Sequence, residues 1–98
     1  MVIKVPYSTG YRVEREAKQM LESEGFFVLR SAGSHGLFDL VAIKDNQVRL
    51  VQVKVIPFGE HNLFKADQLK IKAFKVAYWI KKELWVYEKR RGWHYYQV

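Results

Sequence analysis

The segment from Val48 to Val55 reads VRLVQVKV and alternates with the period of a β-strand. Successive side chains of a strand point to opposite faces of the sheet. Two sets therefore form: Val48, Leu50, Gln52 and Lys54 on one face, and Arg49, Val51, Val53 and Val55 on the other. The valines make one face largely apolar, whereas an amide and an ammonium occupy the second half of the other. A strand of this kind predicts a sheet with helices against its faces.

Glycines and turn residues divide the rest of the chain into further segments. Two helices are predicted, one starting from a cap at Ser8 or Thr9 and stopping near Glu24 before Gly25, and one over residues 65–81. The other predicted strands cover residues 26–32, 37–43, 84–89 and 93–98. The predicted order is α-β-β-β-α-β-β, an α/β (α+β) fold with a central mixed sheet flanked by two helices.

The charge balance points to an anionic partner. The chain of 98 residues, expected to form one domain, carries 17 Lys and Arg against 10 Asp and Glu, a net charge of +7. Nucleic acid is the partner that this excess favours, and an acidic protein or a membrane surface would also satisfy it. The absence of cysteine excludes a disulfide scaffold and a thiolate zinc site. With no membrane-spanning stretch and no secretory signal, the expected location is the cytoplasm of a prokaryote or its virus.

One acid, one amide and one lysine are predicted to meet on neighbouring strands. Asp39 lies within a predicted strand, where aspartate is unfavourable. A tight turn over residues 44–47 joins that strand to the next, and symmetrical pairing about the turn places Asp39 opposite Gln52, with Lys54 on the same face. Oxygen ligands beside a lysine suit a hydrolytic metal site. A structural ion pair between Asp39 and Lys54 is the simpler interpretation of the spacing alone.

Five short motifs occur in order along the chain: Gly10-x-x-x-Glu14-Arg15, Gly25-Phe26, Arg30-Ser31-x-x-Ser34, Gly36-x-x-Asp39-Leu40-Val41-Ala42 and Gln52-x-Lys54. Together they resemble the PD-(D/E)xK nuclease superfamily and, within it, the archaeal Holliday-junction resolvases of the Hjc type. The resemblance covers residues 9–98. It implies a restriction-endonuclease-like core and metal-dependent hydrolysis of phosphodiester bonds in branched DNA.

The resemblance also implies roles for particular residues. The catalytic group would be Glu14, Asp39, Gln52 and Lys54. The metal would be Mg²⁺, with Mn²⁺ as an alternative, held by Glu14, Asp39, the Gln52 oxygen and the Val53 carbonyl. Lys54 would orient the attacking water and stabilise charge on the phosphate.

DNA contacts are expected from basic and polar residues outside the metal site. The resemblance implies such contacts for the first helix, the first strand and the loop that follows, and the lysine-rich second predicted helix adds phosphate contacts. The expected residues are Arg15, Arg30, Ser31, Ser34, His35, Lys65 and Lys72. A branched junction needs two cuts related by a two-fold axis, which favours a symmetric homodimer. The histidines at 35, 61 and 94 show no metal-ligand spacing.

The sequence departs from the resolvase pattern at two positions. Phe38 replaces the proline that usually precedes the aspartate, and Gln52 replaces a glutamate. Mrr-like and VRR-NUC-like nucleases are similar in carrying Gln-x-Lys. The alternative function is a DNA-binding module of nuclease fold without cleavage activity, although the presence of Glu14, Asp39 and Lys54 favours an active site. A structural protein whose basic face binds an acidic partner is a third alternative.

Overall fold

The computed structural model describes residues 5–31 and 36–98. Its elements are α1 (Val5–Ser23), β1 (Phe27–Arg30), β2 (Leu40–Lys44), β3 (Gln47–Ile56), a 3-10 turn (His61–Phe64), α2 (Lys65–Ala73), β4 (Ile80–Glu88) and β5 (Gly92–Gln97). The predicted order α-β-β-β-α-β-β is confirmed. Neither α-helix in this part of the chain is apolar over a length that could cross a membrane.

The five strands form one sheet in the order β1-β2-β3-β4-β5. β3 and β4 run parallel, and every other neighbouring pair is antiparallel. A parallel pair needs a crossover connection, which the 3-10 turn and α2 provide here. The predicted mixed sheet is therefore confirmed.

α1 covers one face of the sheet. Val13, Ala17 and Leu21 are fully buried, as their helical spacing predicts. Ala17 and Leu21 belong to a core cluster with sheet residues that include Val28, Leu40, Ala42, Val51 and Trp85. The predicted start of this helix at Ser8 or Thr9 is wrong, since α1 begins at Val5. Pro6 is compatible with the earlier start because the N–H that proline lacks has no partner in the first turn of a helix.

α2 packs on the opposite face, where its Ile71 joins Ile56, Phe64, Leu84 and Val86 in a second buried cluster. The prediction of a helix over residues 65–81 is wrong, because α2 ends at Ala73.

Two features account for the early end of α2. The Lys82 ammonium donates hydrogen bonds to the carbonyls of Ile71 and Phe74 at 2.8 and 2.7 Å, so it satisfies acceptors at the helix C-terminus. β4 also begins at Ile80, which pairs with Val48 of β3. Ile80 and Lys81, the last two residues of the predicted helix, therefore belong to β4.

The half of the sheet formed by β1 and β2 has an apolar face that α2 does not cover. Phe27 and Ile43 pair directly across the two strands and therefore share this face, which is opposite α1. Phe27, Leu29 and Ile43 are 64%, 49% and 37% exposed. These three residues are called the uncovered sheet face below.

Candidate active site

Asp39 is held by its backbone at the point where β2 begins. Its N–H donates to the Val51 carbonyl at 2.9 Å, and its carbonyl accepts from the Ser31 N–H at 2.8 Å. The predicted hairpin register is confirmed from Lys44–Gln47 to Leu40–Val51. The ladder ends there, however, so Asp39 is not paired with Gln52 as predicted. Its main chain instead bridges the end of β1 and the middle of β3.

The Asp39 carboxylate reaches along β3 beyond the end of the ladder. Its Oδ2 accepts a hydrogen bond from the Val53 N–H at 2.7 Å. Burial raises the pKa of Asp39 to about 6, the hydrogen bond from Val53 opposes this shift, and the neighbouring Glu14 carboxylate adds to it. Two neighbouring carboxylates also attract a cation, since it offsets the repulsion between their charges.

Gln52 and Lys54 share one face of β3 and both contact α2. The contact residue is Asp67, in the first turn of that helix. Its Oδ1 lies 3.3 Å from Gln52 Nε2, and its Oδ2 lies 3.4 Å from Lys54 Nζ. The Asp67 side chain is only 15% exposed, so these contacts are sheltered from water. Lys54 thus forms its ion pair with Asp67. The simpler interpretation of the sequence, an ion pair between Asp39 and Lys54, is wrong.

Sequence reasoning missed Asp67. It lies in the second predicted helix, between Ala66 and Leu69, and nothing in its spacing relates it to β3. Its proximity to Gln52 and Lys54 depends on the crossing of α2 over the sheet. The only signal in the sequence is an acidic residue in the first turn of a helix that otherwise carries lysines.

Glu14 and Arg30 form an ion pair at the side of the site. Arg30 Nε lies 2.5 Å from Glu14 Oε1, and the two side chains are 44% and 19% exposed. Arg30 also lies over the Tyr11 ring, 5.0 Å from its centroid. Arg30 therefore lies beside the acidic residues and still reaches solvent, where DNA could contact it.

The other predicted DNA-contacting residues that the structure describes lie on the two helices and just after β1. Arg15, Lys65 and Lys72 are exposed on the two helices, and Ser31 is half-buried after β1. Ser34 and His35 lie outside the described residues.

The chemistry of the side chains suits a hard cation. Gln52 Oε1 is buried without a hydrogen-bond partner among the described residues, and an unsatisfied buried acceptor is costly. The Asp67 carboxylate contacts the Gln52 amide nitrogen, and the Asp39 carboxylate, with Glu14 beside it, accepts from the N–H of the next residue, Val53. The N–H and C=O of a strand residue point to the same edge, so the Val53 carbonyl faces the side where Asp39 lies. Oxygens of these types are what Mg²⁺ binds.

Comparison with known proteins gives consistent matches. The family model for the archaeal Holliday junction resolvase (hjc) matches residues 6–82. The crossover junction endodeoxyribonuclease Hjc of Methanocaldococcus jannaschii is 40% identical over 68 residues, which are 69% of this chain and 50% of that protein. The chain thus spans about half the length of this curated relative.

A solved structure supports the same fold. The Hjc Holliday junction resolvase of Archaeoglobus fulgidus superposes with a TM-score of 0.68 at 20% identity, over 91% of this chain and 72% of that one. The family match over residues 6–82 includes every residue of the cluster described above, from Glu14 to Asp67. The chain therefore belongs to the archaeal Holliday junction resolvase (Hjc) family.

Proposed function

We propose that this chain is a Mg²⁺-dependent endonuclease, acting as a single nuclease-like domain, that hydrolyses phosphodiester bonds in branched DNA, foremost in Holliday junctions. The observation that carries the proposal is a pair of carboxylates on one stretch of β3, in a member of a resolvase family: Asp67 contacts Gln52 and Lys54, and Asp39 accepts from the N–H of the residue between them. The Methanocaldococcus relative bears the name of a crossover junction endodeoxyribonuclease. A protein that acts on branched DNA would work in the cytoplasm of a prokaryotic cell.

The metal would be held by oxygen atoms of Glu14, Asp39 and Gln52, by the Val53 carbonyl and by Asp67. A bound Mg²⁺, or Mn²⁺ in its place, supplies Lewis-acid polarisation of the phosphate and makes water a better nucleophile. The unpartnered Gln52 Oε1 supports this assignment, because ligation of a cation would satisfy it.

Asp67 compensates for the charge that Gln52 lacks. The resolvase pattern has a glutamate at position 52, so the glutamine leaves the site one carboxylate short. Asp67 stands within 3.3 Å of the Gln52 amide and brings the count of nearby carboxylates back to three. The negative charge that a divalent cation needs is then supplied from α2 and not from β3.

Lys54 acts on the reacting groups. Its side chain is 36% exposed and its ammonium lies 3.4 Å from Asp67, so it can face a phosphate in front of β3. There it orients the attacking water and stabilises the negative charge that develops on the phosphate oxygens. Glu14 helps to hold the cation, and its ion pair with Arg30 fixes its position at the edge of the site.

DNA would lie across the basic residues on either side of the acidic cluster. Arg15 on α1 and Lys65 and Lys72 on α2 are exposed, and Arg30 is paired with Glu14 at the side of the cluster. Ser31, Ser34 and His35 would contact the backbone near the cleaved phosphate. Contacts of this kind fix the position of the duplex without reading its sequence.

A symmetric homodimer would supply the two cuts that a four-way junction requires. The uncovered sheet face is on the same side of the sheet as Gln52 and Lys54, and its apolar side chains are about half exposed. A second copy packed there would bury them and hold two active sites in a two-fold relation. Sedimentation equilibrium tests this: a mass of twice 11.7 kDa is expected, and Leu29→Glu should return the chain to a monomer. Monomeric wild-type protein, with and without junction DNA, would rule the dimer out.

Cleavage of labelled substrates tests the proposed activity. The panel contains a four-way junction, a flap, a single strand and a linear duplex, each with and without Mg²⁺. The proposal expects metal-dependent nicks placed symmetrically in the junction and little cutting of the linear duplex. The lack of charge at Gln52 favours one competing function, a DNA-binding module without activity. That function predicts tight junction binding with no product in either Mg²⁺ or Mn²⁺.

A further inference from the structure

Two histidines that are far apart in the sequence meet at a buried glutamate. His61 Nε2 and His94 Nε2 lie 2.9 and 2.8 Å from the same oxygen, Oε1 of Glu88. The three ligand atoms all lie within 4.8 Å of one another. The histidines were predicted to have no metal-ligand spacing, and the sequence indeed offers none. The fold brings two of them together.

Three elements build this cluster, which we call the histidine cluster. Glu88 ends β4 and is fully buried, and His94 lies on β5, where it pairs with Val86 of the neighbouring strand. His61 opens the 3-10 turn that follows β3. In the register of β3 and β4, Glu88 pairs with Ile56, and Lys54 pairs with Val86 two residues earlier on each strand. The histidine cluster is therefore separate from the acidic site and lies further along the same strands.

The second oxygen of Glu88 is fixed by the loop that follows β3. Its Oε2 accepts a hydrogen bond from the Gly59 N–H at 2.8 Å, and Arg91 Nε lies 3.7 Å away. Gly59 adopts a φ of 79°, which glycine allows without strain. This arrangement orients the carboxylate so that Oε1 points at the two imidazoles. Hydrogen bonds that orient a ligating carboxylate are typical of metal sites in proteins.

We propose that His61, Glu88 and His94 form a second metal site, for a transition-metal ion such as Zn²⁺. Two imidazole nitrogens and one carboxylate oxygen are a ligand set that zinc accepts and that magnesium, which prefers oxygen throughout, does not. The His61 side chain is 51% exposed, so an ion can enter and water can complete its coordination. The bound ion would join the loop after β3 to the β4–β5 hairpin. Its role would be to stabilise the end of β3, the strand that carries Gln52 and Lys54.

Zinc binding to the full chain tests the proposal. Titration calorimetry uses chelator-treated protein carrying Asp39→Asn, in excess Mg²⁺, so that the acidic site does not contribute to the signal. One Zn²⁺ per chain is expected. His94→Gln and His61→Ala in this background should each weaken binding by at least about 10-fold. His35→Ala removes the third histidine of the chain and should leave zinc binding unchanged.

Thermal unfolding gives a second readout that does not depend on nuclease activity. Zinc should raise the Tm of the Asp39→Asn chain and leave that of its His94→Gln derivative unmoved, because an ion that binds only the folded state stabilises it. His61 is half exposed, so His61→Ala provides a folded variant even if His94→Gln is unstable. The proposal is overturned if the Asp39→Asn chain takes up no Zn²⁺, in which case the cluster is only hydrogen-bonded. It is also overturned if both histidine variants bind zinc as tightly as their parent.

Discussion

Asp67 on α2 lies 3.4 Å from the Lys54 ammonium on β3. Gln52, two residues before Lys54, contacts the other oxygen of the same carboxylate at 3.3 Å. The sequence pattern of the family would place a carboxylate at position 52, and the fold instead brings one from the helix that packs over the strand. In the proposed function, this carboxylate takes the place of the expected glutamate at the metal.

Asp67→Asn should lower the rate of junction cleavage by at least about 10-fold, because it removes one of three carboxylates around the cation. The test compares single-turnover cleavage rates in Mg²⁺. Glu60→Gln removes an exposed carboxylate just before the 3-10 turn and serves as the matched control, with an unchanged rate expected.

A second substitution separates a ligand from a merely structural residue. Gln52→Glu restores a carboxylate close to the place that Asp67 occupies, so it should recover much of the activity lost in Asp67→Asn. If Asp67 acted only by holding Lys54 in position, a carboxylate at position 52 would not restore the activity. Failure of the double variant to regain activity would show that Asp67 does not supply charge to the metal.

Gln52→Glu alone should tighten Mg²⁺ binding. Unit charges about 4 Å apart interact by about 4 kcal/mol at an effective dielectric constant of about 20, and repulsion from Asp39 and Asp67 offsets part of this. A midpoint at least about 10-fold lower is expected in a Mg²⁺ titration. An unchanged or higher midpoint would mean that position 52 is not a ligand.

Lys54→Ala should reduce cleavage by about 100-fold or more while DNA binding and folding are retained. Affinity for DNA comes from many dispersed phosphate contacts, so the loss of one ammonium at the reacting phosphate changes the rate far more than the binding. Lys89→Ala removes an exposed lysine at the end of β4 and is the control. A loss of DNA affinity that matched the loss of rate would assign Lys54 to binding alone.

The pKa of Asp39 predicts a pH-dependent stability in the absence of metal. The pKa is raised from 3.8 to about 6 in the folded chain, so between these values the folded state binds more protons than the unfolded state. Stability should therefore fall as pH rises through this window, by an amount on the order of 2–3 kcal/mol.

Asp39→Asn removes this titration and keeps an oxygen to accept the Val53 N–H. In EDTA the variant should be more stable than wild type near about pH 8 and should lose that advantage near about pH 4. Urea unfolding at the two pH values measures it. If the free energies of unfolding of wild type and Asp39→Asn differed by the same amount at both pH values, the folded chain would not hold Asp39 at a raised pKa.

Much of the fold could be predicted because its signals are local. The alternation in β3 and the short turn before it gave the sheet faces and the hairpin register, and both are confirmed. The length of α2 could not be predicted, since residues 74–79 carry apolar side chains at helical spacing. What ends the helix is a long-range contact, the Lys82 ammonium on its last carbonyls.

The same limit applies to the candidate sites. Asp39 directly precedes β2, and Gln52 and Lys54 lie on β3, which a short turn joins to β2, so the hairpin register brings them close. Asp67 reaches them only through the packing of α2 on the sheet, and His61 reaches His94 only through the ends of three different elements. Contacts that depend on how separate elements pack leave no periodic signal in the sequence.

The central claim, metal-dependent cleavage of branched DNA at the Asp39 site, is tested most directly by one comparison. Wild type and Asp39→Ala are incubated with the same labelled four-way junction in Mg²⁺ and in EDTA, and both binding and product are measured. The predicted result is that both proteins bind the junction but only wild type with Mg²⁺ cuts it. Junction binding by wild type with no product in Mg²⁺ or Mn²⁺, or equal cutting by Asp39→Ala, would contradict the claim.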